Sequence, residues 1–339
     1  MQRIGKALLS AALVTAIFVG VLPRIASFSE ITDAIGAMTL IEIVLLVAVA
    51  LWSLTTYGPV LMASLPGLTF GQSMVVTQSS TAIANTVPAG GAVGVGVTFA
   101  MYNSWGFHRA ASTLSVAVSG VWNIFGKLGL PVAALGLVAL VGTAGGGLIT
   151  AAIAGVAALV GAIGLFAAVL RSNRLARMIG DGLAAVASRM LGWIRRRPVG
   201  DWGEAAVRFR HDTMGLVRAR WMRLSITTVV SQLSLYVVLL LTLRNLGVSD
   251  DQVGWAEVLA AFAFVRLLSA LPITPGGLGV VELGLTAALV AAGGHRAQVV
   301  AAVLVYRALT YLAPVPLGMA TYMIWRRNGR RRPIAPEPA

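Results

Sequence analysis

The sequence predicts an all-α, polytopic membrane protein made of two inverted-topology repeats, each holding a re-entrant or tight hairpin broken at paired glycines. Three observations carry this expectation. Hydrophobic residues make up 58% of the 339-residue chain and charged residues 11%, too little polar surface to cover a soluble globule of this size. Apolar runs at residues 7–23, 38–57, 147–170 and 224–243 approach the ~20 residues that a helix needs to cross the hydrocarbon core, and they lack the period-two alternation of a membrane barrel. One pattern also occurs twice: Ala89-Gly90-Gly91 followed by Gly106-Phe107-His108-Arg109-Ala110, and Pro275-Gly276-Gly277 followed by Gly293-Gly294-His295-Arg296-Ala297. A glycine-pair break with the same polar exit, repeated, marks internal duplication.

Taken in chain order, residues 7–23 follow Arg3 and Lys6 as a signal peptide would. No small-x-small cleavage site comes next and further spans follow, so this run is expected to stay as a first helix. A loop with Glu30 and Asp33 leads to the helix at residues 38–57. An interrupted apolar segment follows at residues 72–105, then a long apolar stretch at residues 110–141 with Pro131 inside it, then the span at residues 147–170. Between Arg171 and Arg223 twelve arginines face four acids, and five more arginines lie between Arg326 and Arg332. By the positive-inside rule the linker (residues 171–223), the tail (residues 326–339) and the N-terminus are expected in the cytoplasm, which makes the chain a multi-pass protein of the cytoplasmic (inner) membrane.

Within the linker, Leu175, Met178, Ile179, Leu183, Val186, Met190 and Ile194 fall near helical spacing, with Arg171, Arg174, Arg177 and Arg189 between them. Two readings stay open: a helix lying on an anionic membrane surface, or a helical connector packed on the bundle, with Pro198 ending either one. A nucleic-acid partner is the competing reading of so basic a run, and it is disfavoured because nearly every basic stretch adjoins a membrane helix. The second half starts with the helix at residues 224–243, continues through a loop with Asp250 and Asp251, an interrupted segment at residues 256–292, and a stretch at residues 297–325 containing Pro314 and Pro316. The helix at residues 38–57 would begin outside and its counterpart at residues 224–243 inside, so the repeats, residues 38–142 and 224–325, are expected to be inverted. Parity leaves re-entrant and full-length hairpins both open.

A helix broken inside hydrocarbon leaves amides and carbonyls without partners, at several kcal/mol per group, and is tolerated only beside protein or a wet cavity. Asn85-Thr86-Val87-Pro88-Ala89-Gly90-Gly91 and Pro272-Ile273-Thr274-Pro275-Gly276-Gly277 are two such breaks, expected to act as a gate beside a polar site. The half-helix after each glycine pair turns its N-terminal amides toward that site, which favours an anion. Helical counting puts Arg266 about 15 Å into its hairpin at 1.5 Å per residue, with Glu282 and Arg307 at similar depth. Ionised groups there are functional candidates by default. Two arginines against one glutamate leave a local charge that suits a phosphodiester anion, which arginine grips bidentately, although Glu282 pairing with one arginine to lock helices is the plainer alternative. At the matching depth the first half offers neutral groups, among them Thr77, Gln78, Ser79, Ser80, Thr81 and Asn85, for which helix–helix hydrogen bonding is the ordinary explanation. Asn123 and Lys127 are weaker candidates, and Lys127 has snorkelling as its alternative.

Other chemistry finds little footing. The chain has no cysteine and three histidines, no two of which share metal-ligand spacing, so neither a metal site nor a cofactor is expected. No nucleophilic triad or carboxylate pair stands out. Gly91-Ala92-Val93-Gly94-Val95-Gly96 lacks the strand and lysine of a phosphate-binding loop and reads as close helix packing. His108 and His295 hold matching places at hairpin exits and are expected at the membrane interface.

The segment Ala270-Leu271-Pro272-Ile273-Thr274-Pro275-Gly276-Gly277-Leu278-Gly279-Val280-Val281-Glu282, followed by Val305-Tyr306-Arg307-Ala308-Leu309, resembles the flippase-like family formed by the transmembrane region of lysylphosphatidylglycerol synthases and their stand-alone relatives. The resemblance covers roughly residues 5–327. It implies movement of a phospholipid or lipid-linked precursor between leaflets. Only a short Arg- and Pro-rich tail follows Trp325, so the synthase activity of the bifunctional relatives is expected to be absent. The neutral run after the first glycine pair departs from many relatives, and stand-alone members linked to lipid-linked sugars leave the headgroup open. The expectation is a flippase in which Arg266 and Arg307 bind the headgroup phosphate, Glu282 orients an arginine or accepts a cation or proton, and Thr274, Ser80 and Asn85 line the path. An intramembrane transferase acting on lipid-linked sugar or phosphate, and a non-transporting scaffold, are the alternatives.

Overall fold

The computed structural model describes residues 33, 36–87, 90–141, 146–175, 177–178, 181–182, 202–269 and 274–329. The expected first helix, Pro88, Pro272, Pro198 and most of the amphipathic linker run lie outside the described residues. The described chain is helical, and five of its helical stretches are long and apolar enough to cross a membrane: Leu40–Ser64, Arg109–Val138, Ile153–Arg171, Ala206–Asn245 and Arg296–Asn328.

Helix α1 (Leu40–Thr55) begins where Thr39 and Glu42 satisfy each other's backbone N–H groups, a reciprocal cap that fixes a helix start. The same apolar run continues past residue 57 as α2 (Gly58–Ser64), in which Pro59 falls in the first turn, where its missing N–H costs nothing. Helix α3 (Phe70–Thr86) starts on a second reciprocal cap, Thr69 with Gln72. The chain then turns back into α4 (Gly90–Ser104). Gly90 is closely packed at the start of that helix: a Cβ there would stand 2.5 Å from the Ile83 carbonyl oxygen, so only glycine fits. Helix α5 (Arg109–Val141) runs unbroken through Pro131, and α6 (Gly146–Arg171) returns along it.

Helix α7 (Trp202–Asn245) is 44 residues long. That is about 66 Å at 1.5 Å per residue, about twice the hydrocarbon thickness, so the part of the basic linker from residue 202 onward is one helix with the span that follows. Arg210 ties it to the end of α6 by donating to the Leu170 carbonyl, and Arg177 pairs with Glu204 at the surface. After α7, Arg244 organises the loop by donating to the Val248 and Val253 carbonyls and pairing with Asp250. Helix α8 (Trp255–Leu268) leads to the second break, which resumes as a tight turn at Pro275–Gly277 and then α9 (Val280–Ala291). Helix α10 (Arg296–Arg307) passes through a single π-helical turn at Ala308–Leu312 into α11 (Pro314–Gly329). His108 and His295 stand immediately before α5 and α10, both exposed.

The packing has a reciprocal pattern. α3 packs on α11, and α8 packs on α5, so the first helix of each broken hairpin lies against the closing helix of the other half, while α1 packs on α7. Small residues let these backbones approach, as in membrane bundles generally. Gly318 of α11 faces the Gln78 carbonyl and Ala82 of α3, and Ser79 shares a 3.0 Å hydrogen bond with Thr321. Further hydroxyl contacts join Thr56 to Ser234 and Ser64 to Ser115, so several of the buried polar residues do act as helix–helix links. Gly318→Val is expected to overpack the α3–α11 seam and lower stability by about 1–3 kcal/mol, seen as a lower thermal midpoint in detergent.

Candidate functional site

The second break is built around Glu282. Its carboxylate is 1% exposed and accepts two charge-assisted bonds, from Arg307 Nε at 2.7 Å and from the Gly279 N–H at 2.6 Å. The latter closes the start of α9, because Gly279 has φ of +79° and leaves an amide that the helix itself cannot satisfy. Arg307 also donates through Nη2 to the Gly276 carbonyl at 3.2 Å and lies over the Tyr311 ring, 4.4 Å from its centroid. One glutamate and one arginine therefore hold two backbone groups of the turn that leads into α9. Thr274 is buried and donates to the Leu278 carbonyl, which shapes the same turn.

The first break meets the second. Tyr311 Oη donates to the Asn85 carbonyl at 2.7 Å, and the Asn85 amide donates back to the Tyr311 carbonyl at 3.3 Å. Gly276, with φ of +59°, fits against both side chains: a Cβ there would collide with the Tyr311 ring and stand 3.0 Å from Asn85 Oδ1. The π-helical turn that contains Tyr311 makes this possible, since a π-turn rotates the side chains that follow it and such turns recur at functional positions.

Arg266 has other neighbours. It sits half-buried in the last turn of α8, and its Nη2 donates to Gln232 Oε1 at 3.0 Å, while Gln232 Nε2 donates to Asn123 Oδ1 at 2.9 Å. Its Nε is covered and without a partner. The structure brings together Glu282, Arg307, Gly276 and Asn85, and it sets Arg266 with Gln232 and Asn123 instead of with the glutamate. Ser80 lies elsewhere again, bonded to the Thr77 carbonyl, in the wall of a cavity of about 250 Å³ lined also by Tyr57, Thr81, Gly91, Thr98 and Ser119. Gly91 thus faces open space while Gly90 is packed.

Sequence reasoning missed Gln232 and Tyr311. Both left a trace: Gln232 is a lone amide within the apolar run at residues 224–243, and Tyr311 is four residues past Arg307, the spacing at which helical side chains stack.

These features define a polytopic helical membrane protein in which a buried ion pair lies beside a break between two helices. The chain belongs to the family of the lysylphosphatidylglycerol synthase transmembrane region, whose profile matches residues 7–318, and that membership places it among membrane proteins of lipid metabolism or transport. Among curated proteins, none matches the chain.

Removing one partner of a buried ion pair strands the other, at a cost of about 3–5 kcal/mol. Glu282→Gln is therefore expected to lower stability by an amount of that order, and adding Arg307→Met should restore part of it. A double-variant cycle on thermal unfolding checks this; additive losses would mean the two side chains are not coupled.

Proposed function

We propose that the protein moves a lipid with an anionic headgroup between the leaflets of the cytoplasmic membrane, with its termini and basic linker on the cytoplasmic side and the linker held on anionic lipid. One observation carries this reading: two interrupted helices, one from each half, meet at Asn85, Gly276 and Tyr311, directly beside the buried Glu282–Arg307 pair. Broken helices at membrane depth are how transporters build a site that opens to either side. The exchange packing of α3 on α11 and α8 on α5 supports two halves related by a twofold axis, and the charge bias of the loops supports their inversion. Under this reading the Asn85–Tyr311 strap is the gate contact, and Arg307, whose Nη1 has no protein partner among the described residues, keeps donors available for a passing phosphate.

The test is leaflet exchange of fluorescent phospholipids in liposomes. Arg266→Ala, Glu282→Gln and Arg307→Ala are each expected to slow exchange at least tenfold relative to wild type, with folding checked by gel filtration; equal exchange in every sample, empty liposomes included, rejects transport. The cysteine-free chain permits a second check. A cleavable thiol crosslinker joining Asn85→Cys to Tyr311→Cys should stop exchange, and cleaving the linker should restore it.

A further inference from the structure

One cluster of charge in the bundle is not neutralised. Among the described residues the ion pairs are Arg177–Glu204, Arg244–Asp250 and Arg307–Glu282, and both oxygens of Glu282 are already occupied. Arg266 on α8 and Lys127 on α5 therefore have no carboxylate. Both border the seam where α5 packs on α8: Arg266 donates to Gln232, Gln232 donates to Asn123, and Lys127 follows Asn123 by one helical turn in the interior of the span Arg109–Val138. An ionised side chain at such depth is costly unless paired or wet.

Donors outnumber acceptors among the side chains around this pair, where the hydroxyls of Thr228 and Tyr306 can serve as either. Gln232 is oriented with its oxygen on Arg266 and its nitrogen on Asn123, which leaves the Asn123 amide nitrogen unused among the described residues. Arg266 Nε is covered and unpartnered, and Lys127 brings three further N–H groups one helical turn beyond Asn123. Ser119, Asn123 and Lys127 recur every four residues along one face of α5, and Ser119 and Gly120 line the cavity of about 250 Å³, which ends one turn short of Asn123. That volume holds several waters at about 30 Å³ each. Pro131 adds polarity at this level, since it has no N–H to give the Lys127 carbonyl.

We propose that Lys127 and Arg266, the latter held by the Gln232–Asn123 pair, form a subsite for a phosphate group carrying two negative charges, the phosphomonoester or diphosphate of a lipid headgroup. Two cations and a fan of donors match such a group in charge and hydrogen bonding, because a phosphomonoester has its second ionisation near pH ~6 and is close to doubly charged at neutral pH. A phosphodiester balances one cation, and a headgroup with an added amine is repelled. The lipid origin of the phosphate rests on the transport reading above; the subsite itself does not.

Native mass spectrometry of the full chain in detergent tests it, titrating dioleoyl phosphatidic acid, phosphatidylglycerol and phosphatidylcholine at pH 7.5. Phosphatidic acid is expected to bind at least tenfold more tightly than the other two. Lys127→Gln and Arg266→Gln should each remove that preference, and Lys127→Arg should keep it, which a purely structural lysine would not require. Equal affinity for the three lipids, or a preference that survives Lys127→Gln, overturns the subsite. Displacement of phosphatidic acid by equimolar inorganic pyrophosphate would identify a soluble anion as the ligand and overturn the lipid assignment. The preference without leaflet exchange in liposomes upholds the subsite and removes transport. Exchange that ignores both headgroup and Lys127→Gln upholds transport and removes the subsite.

Discussion

A helix interrupted within a packed bundle must find hydrogen bonds for its freed backbone groups from the rest of the protein, and after the second break Glu282 and Arg307 supply two of them. The carboxylate takes the Gly279 amide and the arginine takes the Gly276 carbonyl, so a single ion pair pins the turn that starts α9. Each partner also neutralises the other, which removes most of the cost of burying them. Without that pair the Gly279 amide and the Gly276 carbonyl of the turn would lose these partners. The strap from Tyr311 to Asn85 depends on it in turn, because Arg307 lies against the Tyr311 ring that makes the strap.

This arrangement distributes roles among charges that look alike in one dimension. Arg307 is largely committed to the protein, through Glu282 and Gly276. Among the described residues the Arg266 side chain donates to a neutral amide, and a neutral amide orients a guanidinium without cancelling its charge. The arginine that holds the break and the arginine that stays electrostatically open are thus different residues on different helices, separated by the choice of one carboxylate.

The exchange of packing partners explains how the breaks come to touch. α3 is seated on α11 through Gly318 and the Ser79–Thr321 bond, which carries the end of α3, with Asn85, to the π-helical turn ahead of α11. A larger residue at position 318 would push α3 away and separate Asn85 from Tyr311. Close helix packing some turns distant is therefore part of the site's geometry, although Gly318 bonds to none of its members.

Composition and run lengths in the sequence are enough to specify a helical membrane protein. The duplicated glycine pairs mark where helices are interrupted, and counting along helices puts Arg266, Glu282 and Arg307 at depth. These features are legible because partition between water and lipid acts on each stretch of chain separately. Sequence did not reveal that Glu282 takes Arg307 and not Arg266, that Gln232 and Asn123 receive the remaining arginine, that Pro131 leaves its helix unbroken, or that Asn85 reaches Tyr311. Those outcomes depend on the angle at which each helix meets its neighbours. A residue's depth follows from its place along one helix, but which side chain it faces follows from how several helices rotate and close together, and only the tertiary structure decides that.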